Sequence, residues 1–292
     1  MAIGALAPIA THKDASVQSV SAIERWRQAL AAWRIPEHVL AAAEESPWVL
    51  PRQVFVRRAD RQLAEPGGAS YLAACQALDP PGSVIDIGAG AGAASLPLAA
   101  RCTAITAVDS DEELLAEFAA RGRDAGVPCH AVLGTWPQVA GEVPPADVVV
   151  CHHVIYNVSD LEPFVAALTA HARRLVVVET AQRHPLTTLN ELWLRFHGIR
   201  RPDGPTADDA LAALAELGIR PHVVRWRRPK AADRVDFDTL VDITRRRLCL
   251  LARRADEVAA ALTELGHGDG TATDLGASAV EVATLTWPGG AG

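Results

Sequence analysis

The chain carries almost no lysine. Of its 28 basic residues only Lys13 and Lys230 are lysine, and 35 acids leave a net charge of −7. That balance argues against a dedicated nucleic-acid binder, whose footprint is a strongly basic domain, and leaves room for a local basic patch. Cysteine is also sparse. The five are Cys75, Cys102, Cys129, Cys151 and Cys249, an odd number with no C-x-x-C among them. This spacing excludes a disulfide framework and offers no metal-ligand cluster, so the thiols read as reduced core residues of a cytoplasmic protein. No apolar run reaches the roughly 18–20 residues of a membrane span, and the N-terminus lacks the basic lead of a signal peptide. What remains is 292 residues, 49% apolar and 22% charged. Such a chain has ample material for a buried core and is not disordered.

Residues 1 to about 18 carry no clear pattern. Between 20 and 50, Ile23, Trp26, Leu30 and Trp33 recur at helical spacing, and Pro36 and Pro47 divide the run. Two further helices are predicted over 52–64 and 69–78, each ended by Pro and Gly. From residue 83 the pattern changes. Short Val/Ile-rich runs at 83–88, 105–109, 129–133, 147–151 and 175–179 are apolar on both faces, as buried parallel strands are. Crossover helices are predicted between them at 92–101, 111–125 and 161–173, the second opened by a capping-box pattern from Ser110 to Glu113. An irregular aromatic stretch follows at 181–205. Then come a helix over 206–217 capped by Thr206 and Asp209, a strand at 220–227, a basic helix near 238–253, a helix near 255–265 and a last strand at 278–287.

The sharpest signal is Val84-Ile85-Asp86-Ile87-Gly88-Ala89-Gly90-Ala91-Gly92, a strand that runs into a glycine turn. Glycine lets a backbone approach a ligand closely, and a helix starting there would offer free N–H groups. Gly88, Gly90 and Ala93 also satisfy a dinucleotide fingerprint, with Asp109 positioned to bind ribose hydroxyls. Asp86 separates the two readings. A pyrophosphate beside it would be repelled, whereas a ligand bearing an ammonium or sulfonium would be favoured.

Taken together, hhDhG-x-G-x-G and an acid closing the next strand resemble the class I S-adenosylmethionine-dependent methyltransferases, over roughly residues 80–292. The resemblance implies an α/β fold: a doubly wound, mostly parallel, seven-stranded Rossmann-like sheet with an N-terminal helical cap. Residues 1–80 would be the cap or lid and 81–292 the donor-binding core, with a substrate-covering insertion at about 181–205. S-adenosylmethionine would be the cofactor. It would rest on the backbone of Gly88, Ala89, Gly90 and Gly92, with Asp86 near its amino group and Asp109, with Ser110 beside it, at the ribose. Thr135 and Trp136 would meet the adenine. Thr135 stands where the family often has Asp, which is a departure. His152 would support the donor through its backbone.

In the same family the segment after the fourth strand, here Cys151-His152-His153-Val154-Ile155-Tyr156-Asn157, lines the acceptor pocket. The Asn-Pro-Pro-Tyr-type motif of nucleobase or glutamine methylation is absent, which argues against DNA adenine methylation. His153 and Tyr156 are candidates to face the acceptor. Histidine suits a general base near neutral pH, so His153, His184 and His197 are candidates for that role, with Glu179 beside them. Trp26, Trp33, Trp48 and Phe55 from the N-terminal helices, with Trp193 and Phe196, supply aromatic walls for a flat acceptor. The expected acceptor is a small aromatic or heteroaromatic molecule of natural-product type. Arg245, Arg246 and Arg247, with Arg253 and Arg254, form a basic face that an RNA methyltransferase would lay on phosphates; a solvated face paired with the surplus acids is the plainer reading. A protein methyltransferase, a donor-binding regulator without catalysis and a nicotinamide enzyme compete with the small-molecule reading. The sequence argues for a small-molecule partner, against nucleic acid and membrane, and leaves a homodimer open.

Overall fold

The computed structural model describes residues 20–48, 51–228, 235–268, 275 and 280–290. The patternless residues 1–18, and the expected start of the last strand at Ser278, lie outside them. Four helices lead in: α1 (Ala22–Ala31), α2 (Glu37–Leu40), α3 (Arg52–Ala64) and α4 (Ala69–Ala77). Strands and helices then alternate: β1 (Gly82–Ile87), β2 (Cys102–Asp109), α5 (Glu112–Asp124), β3 (Cys129–Leu133), β4 (Ala146–His152), α6 (Leu161–His171) and β5 (Ala172–Ala181). After β5 come α7 (Asn190–His197), α8 (Ala207–Glu216), β6 (His222–Arg227), α9 (Phe237–Arg247), α10 (Ala255–Glu264) and β7 (Glu281–Pro288).

The strands form one seven-stranded sheet in the order β3-β2-β1-β4-β5-β7-β6. The first five are parallel, and β7 inserts antiparallel between β5 and β6. Burial on both faces explains the continuous apolar runs. On one face Val84, Ile105, Val148, Val150 and Val177 pack with Ala74 of α4, Leu78 just past its end and Phe118 of α5. On the other, Ile85, Val149, Val176 and Leu285 pack with Trp26 of α1, Phe164 and Leu168 of α6 and Ala210 of α8. A separate apolar cluster gathers three remote stretches: Val39 of α2, Leu192 and Trp193 of α7, and Leu240, Val258 and Leu262 of α9 and α10. Helical cover thus comes from the middle and late chain as well as the N-terminus.

Three local expectations are corrected. No α-helix follows the glycine turn; residues 91–95 form turns and Leu96–Arg101 a 3-10 helix. Pro97 lacks the N–H needed for an α-helical bond and pushes Leu96 away from α geometry, so the tighter turn prevails. Helix α5 is capped by Asp111, whose Oδ1 accepts from the N–H groups of Glu113 and Leu114, and not by Ser110. Residues 181–205 are not irregular throughout, since β5 extends to Ala181 and α7 lies within the stretch. The capping box at Thr206 and Asp209 forms as expected.

Candidate active site

Because β1, β2, β4 and β5 are parallel, their C-terminal ends share one edge of the sheet. The chain leaves β1 toward β2 on one side and β4 on the other, which opens a crevice between β1 and β4, where open α/β sheets bind ligands. The glycine turn after β1 and the His153–Val154 turn after β4 face each other across it. Gly88 has φ +70°, and a side chain there would collide with Val154. Only glycine meets both the left-handed backbone and the close approach.

A cavity of about 880 Å³ opens along this edge. Gly88, Ala89, Gly90, Asp109 and Ser110 line one part, and His152, His153, Tyr156, Glu179 and His184 another. Ten of the residues singled out from sequence therefore share one cavity. Five do not line it. Gly92 lies against Leu96 and Phe118. Thr135 is turned to Gln138 through a 3.0 Å hydrogen bond. Trp136 is buried against the His171 ring, edge to face at 4.8 Å. His197 bonds the Leu248 carbonyl at 2.7 Å and packs on Trp193. Asp86 lies beneath the turn, 1% exposed.

The glycine turn is folded onto the protein's own backbone. The N–H groups of Gly88 and Ala89 both donate to the Val108 carbonyl, at 2.8 and 3.2 Å. The N–H of Gly90 donates to Asp109 Oδ2 at 2.7 Å and that of Gly92 to the Ala89 carbonyl at 2.8 Å. A pyrophosphate needs such amides free at a helix N-terminus, and this turn has neither. Asp109 also accepts from the Asp111 N–H at 3.0 Å, which fixes its carboxylate at the cavity wall. Each oxygen keeps a lone pair for a hydroxyl. Asp86 accepts from Ser95 Oγ at 2.6 Å, while its buried Oδ1 has no partner. Burial pushes the Asp86 carboxyl up to about 7, only partly offset by Ser95. A ligand cation above this acid would restore its charge. The arrangement fits S-adenosylmethionine, with Asp109 for the ribose, Asp86 under the amino group and the glycine turn as the floor.

At the end of β5 the polar groups form a donor chain. Trp226 Nε1–H donates to Thr284 Oγ1 at 3.0 Å. Thr284 and Ser70 hydroxyls lie 2.7 Å apart, and Ser70 Oγ donates to Glu179 Oε2 at 2.6 Å. Since the Ser70 proton goes to Glu179, Thr284 supplies the proton to Ser70. Arg228 pairs with the other oxygen of Glu179. Burial pushes the Glu179 carboxyl up, but the Arg228 guanidinium beside it outweighs this and holds the group well below its ordinary range. A carboxylate so fully engaged is an anchor and a weak base, not the proton acceptor expected from sequence.

His153 stands on strained backbone, at φ +61°, a conformation that costs a non-glycine residue about 1–2 kcal/mol. Its N–H donates to the Glu179 carbonyl at 2.8 Å. Its Nε2 lies 2.7 Å from Arg228 Nη2 and 3.1 Å from Glu179 Oε1. A guanidinium only donates, so Nε2 accepts and the proton sits on Nδ1. That Nδ1 is buried and has no partner among the described residues. Burial, then Arg228, push the imidazole down to about 4. His184 is likewise pushed down to about 4, by burial and then Arg247. Its Nδ1 accepts from the Leu186 N–H at 3.3 Å, and its ring stacks on Trp33 at 4.4 Å. Neither histidine is poised as a base near neutral pH; both present neutral rings to the cavity.

Sequence reasoning missed Arg58, Ser70, Trp226 and Arg228. Phe55, Arg58 and Gln62 share one face of α3 at helical spacing and all line the cavity, so that stripe was readable. Trp226 and Arg228 alternate along β6 and past its end, beyond the predicted strand boundary. Of the aromatic residues proposed as walls, Trp33, Trp48 and Phe55 line the cavity. Trp26 is core, its Nε1–H on the Val158 carbonyl at 2.8 Å, and Trp193 and Phe196 belong to the separate helical cluster. The basic helix is locally neutralised. Arg245, 5% exposed, pairs with Glu45 and Asp242, and Arg246 pairs with the same two acids. Among the described residues no group of side chains has a metal-binding arrangement, and no helix is long and apolar enough to cross a membrane.

A family model described as a methyltransferase domain matches residues 84–176, which span β1 to β5 and carry Asp86, the glycine turn, Asp109, His152 and His153. Over this stretch the chain matches a methyltransferase domain, carried on the five parallel strands of a doubly wound sheet. The chain is similar in structure to magnesium protoporphyrin IX methyltransferase from Synechocystis PCC 6803 with bound SAH, at 16% identity, 91% of this chain, 93% of that chain and a TM-score of 0.48. It is similar to a SAM-dependent methyltransferase from Thiobacillus denitrificans, at 17% identity, 81% of this chain, 98% of that one and 0.47. For a SAM-dependent methyltransferase from Geobacter sulfurreducens the values are 17%, 88%, 99% and 0.45. A comparison with curated protein sequences gave no match.

Proposed function

We propose that the protein methylates a small aromatic or heteroaromatic molecule. The observation that carries this reading is the shape and lining of one cavity. It runs from the glycine turn and Asp109 to a wall of Trp33, Tyr156, His184 and Trp226. Its volume of about 880 Å³ lies at the upper end of ordinary ligand sites, roughly 300–1,000 Å³, which suits a donor and a small acceptor together.

S-adenosylmethionine supplies an electrophilic methyl group on a sulfonium. The chain's residues position the partner. Asp109 and the turn fix one end of the site, and the rings of Tyr156 and His184, edge to face at 5.5 Å, shape the other. Holding two reactants in line is worth roughly 7–11 kcal/mol of barrier. With both histidines neutral and Glu179 engaged, the site supports an acceptor whose nucleophile arrives unprotonated: an electron-rich ring carbon, a ring nitrogen or an ionised oxygen.

The test is turnover with methyl-labelled S-adenosylmethionine offered to hydroxyindoles, naphthols and quinolinols, and in parallel to bulk RNA and a protein extract. Label in one of the small aromatic compounds alone is expected. Label in RNA or protein would overturn the reading.

A further inference from the structure

The cavity as a whole is electropositive. Six of its lining side chains are arginines, of which Arg27 is paired with Asp160 and Glu24, and the only lining carboxylates among the described residues are Asp109 and Glu179. Asp109 stands at the donor end, and Glu179 is bound to Arg228. No histidine adds or removes charge near neutral pH, since His153 and His184 are held neutral. Three guanidiniums, Arg58, Arg228 and Arg247, act on the Tyr156 hydroxyl at the centre of this wall, opposed by Glu179.

Their places differ. Arg58 stands on α3 beside Phe55, its guanidinium carbon 6.0 Å from that ring, near the glycine turn. The donor's own carboxylate can claim it there. Arg228 is tied to Glu179 and His153. Arg247, at the last residue of α9, lies at the opposite end, where it also lines a small recess with Trp33, Trp48 and Leu186. It acts on both His184 and Tyr156. Arg58 and Arg247 have contacts of their own; the wall attracts an anion through its net charge, and Arg247 is placed at its far end.

We infer that the acceptor is an aromatic acid whose carboxylate is held by Arg247, with its ring against Trp33, Tyr156 and His184. The inference rests on the proposed methyl transfer to a small aromatic molecule and names its charge. A flat ring fits this wall, and a guanidinium presents paired donors that match a carboxylate. The same field favours an ionised acceptor, which removes the need for a base.

The experiment is calorimetry on the whole protein saturated with S-adenosylhomocysteine, using naphthalene-2-carboxylate and naphthalene-2-carboxamide as probes of matched shape. The acid should bind at least tenfold more tightly than the amide, and the preference should shrink as salt rises. In Arg247→Gln the two should bind within twofold of each other, with S-adenosylhomocysteine affinity unchanged. Equal binding of both probes to the wild type, no binding of the acid, or a preference that survives Arg247→Gln would overturn the inference. So would a loss of S-adenosylhomocysteine affinity in that variant, since Arg247 would then serve the donor. If the variant does not fold, the wild-type comparison and its salt dependence decide. If S-adenosylhomocysteine itself does not bind, the donor assignment fails, and the acid–amide comparison is still read without it.

Discussion

Replacing Asp86 by asparagine removes a buried charge and keeps the side chain's shape. The Asp86 carboxyl is 1% exposed, is hydrogen-bonded by Ser95 on one oxygen only, and is pushed up to about 7 in the fold from 3.8. An acid whose folded value is raised is most stabilising below its unfolded value, and that stability is lost as pH rises through the folded value. Worked from these two values, the cost of carrying Asp86 is about 2 kcal/mol at pH 5 and about 4 kcal/mol at pH 8. The Asp86→Asn variant would escape that cost but bury an amide N–H pair without a partner, a pH-independent penalty of about 1–3 kcal/mol. Its stability relative to wild type should therefore rise by about 2–3 kcal/mol between pH 5 and pH 8, whatever its offset. Urea unfolding followed by tryptophan fluorescence at pH 5, 6, 7 and 8 measures this, with equal m-values as the control. A difference that stays constant with pH would refute the buried, poorly satisfied acid beneath the turn.

Two further outcomes follow from the site. Asp109→Ala should weaken S-adenosylhomocysteine binding at least tenfold by calorimetry, because it removes the ribose acceptor and strands the Gly90 and Asp111 N–H groups; unchanged affinity would reject that placement. With donor saturating, turnover should show no limb near pH 6.5, since His153 and His184 titrate near 4. Their depressed values also mean that the unfolded chain takes up protons between pH 6.5 and 4. These two groups thus withdraw stability as the pH falls through that window. A turnover limb near 6.5 would return one of the histidines to the role of base.

The parallel strands were readable because both of their faces are buried, so each appears as an unbroken Val/Ile run between turn residues. Helix α3 was readable for a similar reason: Pro51 starts it and Glu65-Pro66-Gly67 ends it. The missing α-helix after the glycine turn was written in Pro97, but the motif outweighed it. Asp109 was legible as an acid closing a strand. The anchor at Glu179 was visible as a residue and misread as a role, because its partners come from afar. Ser70 lies 109 positions away and Arg228 49. The histidine values were likewise hidden, being set by burial and by guanidiniums from other elements. The aromatic wall draws on the segment after α1, the segments after β4 and β5 and the end of β6, and no local period announces such an assembly.

The central claim is that the edge between β1 and β4 holds S-adenosylmethionine and not a dinucleotide. Calorimetry with S-adenosylmethionine, its demethylated product S-adenosylhomocysteine and NADH tests it most directly. The account predicts one site per chain for the first two and no binding of NADH, because the glycine-turn amides of Gly88, Ala89, Gly90 and Gly92 are bound to Val108, Asp109 and Ala89 and no α-helix begins at that turn. Binding of NADH without binding of S-adenosylhomocysteine would contradict it.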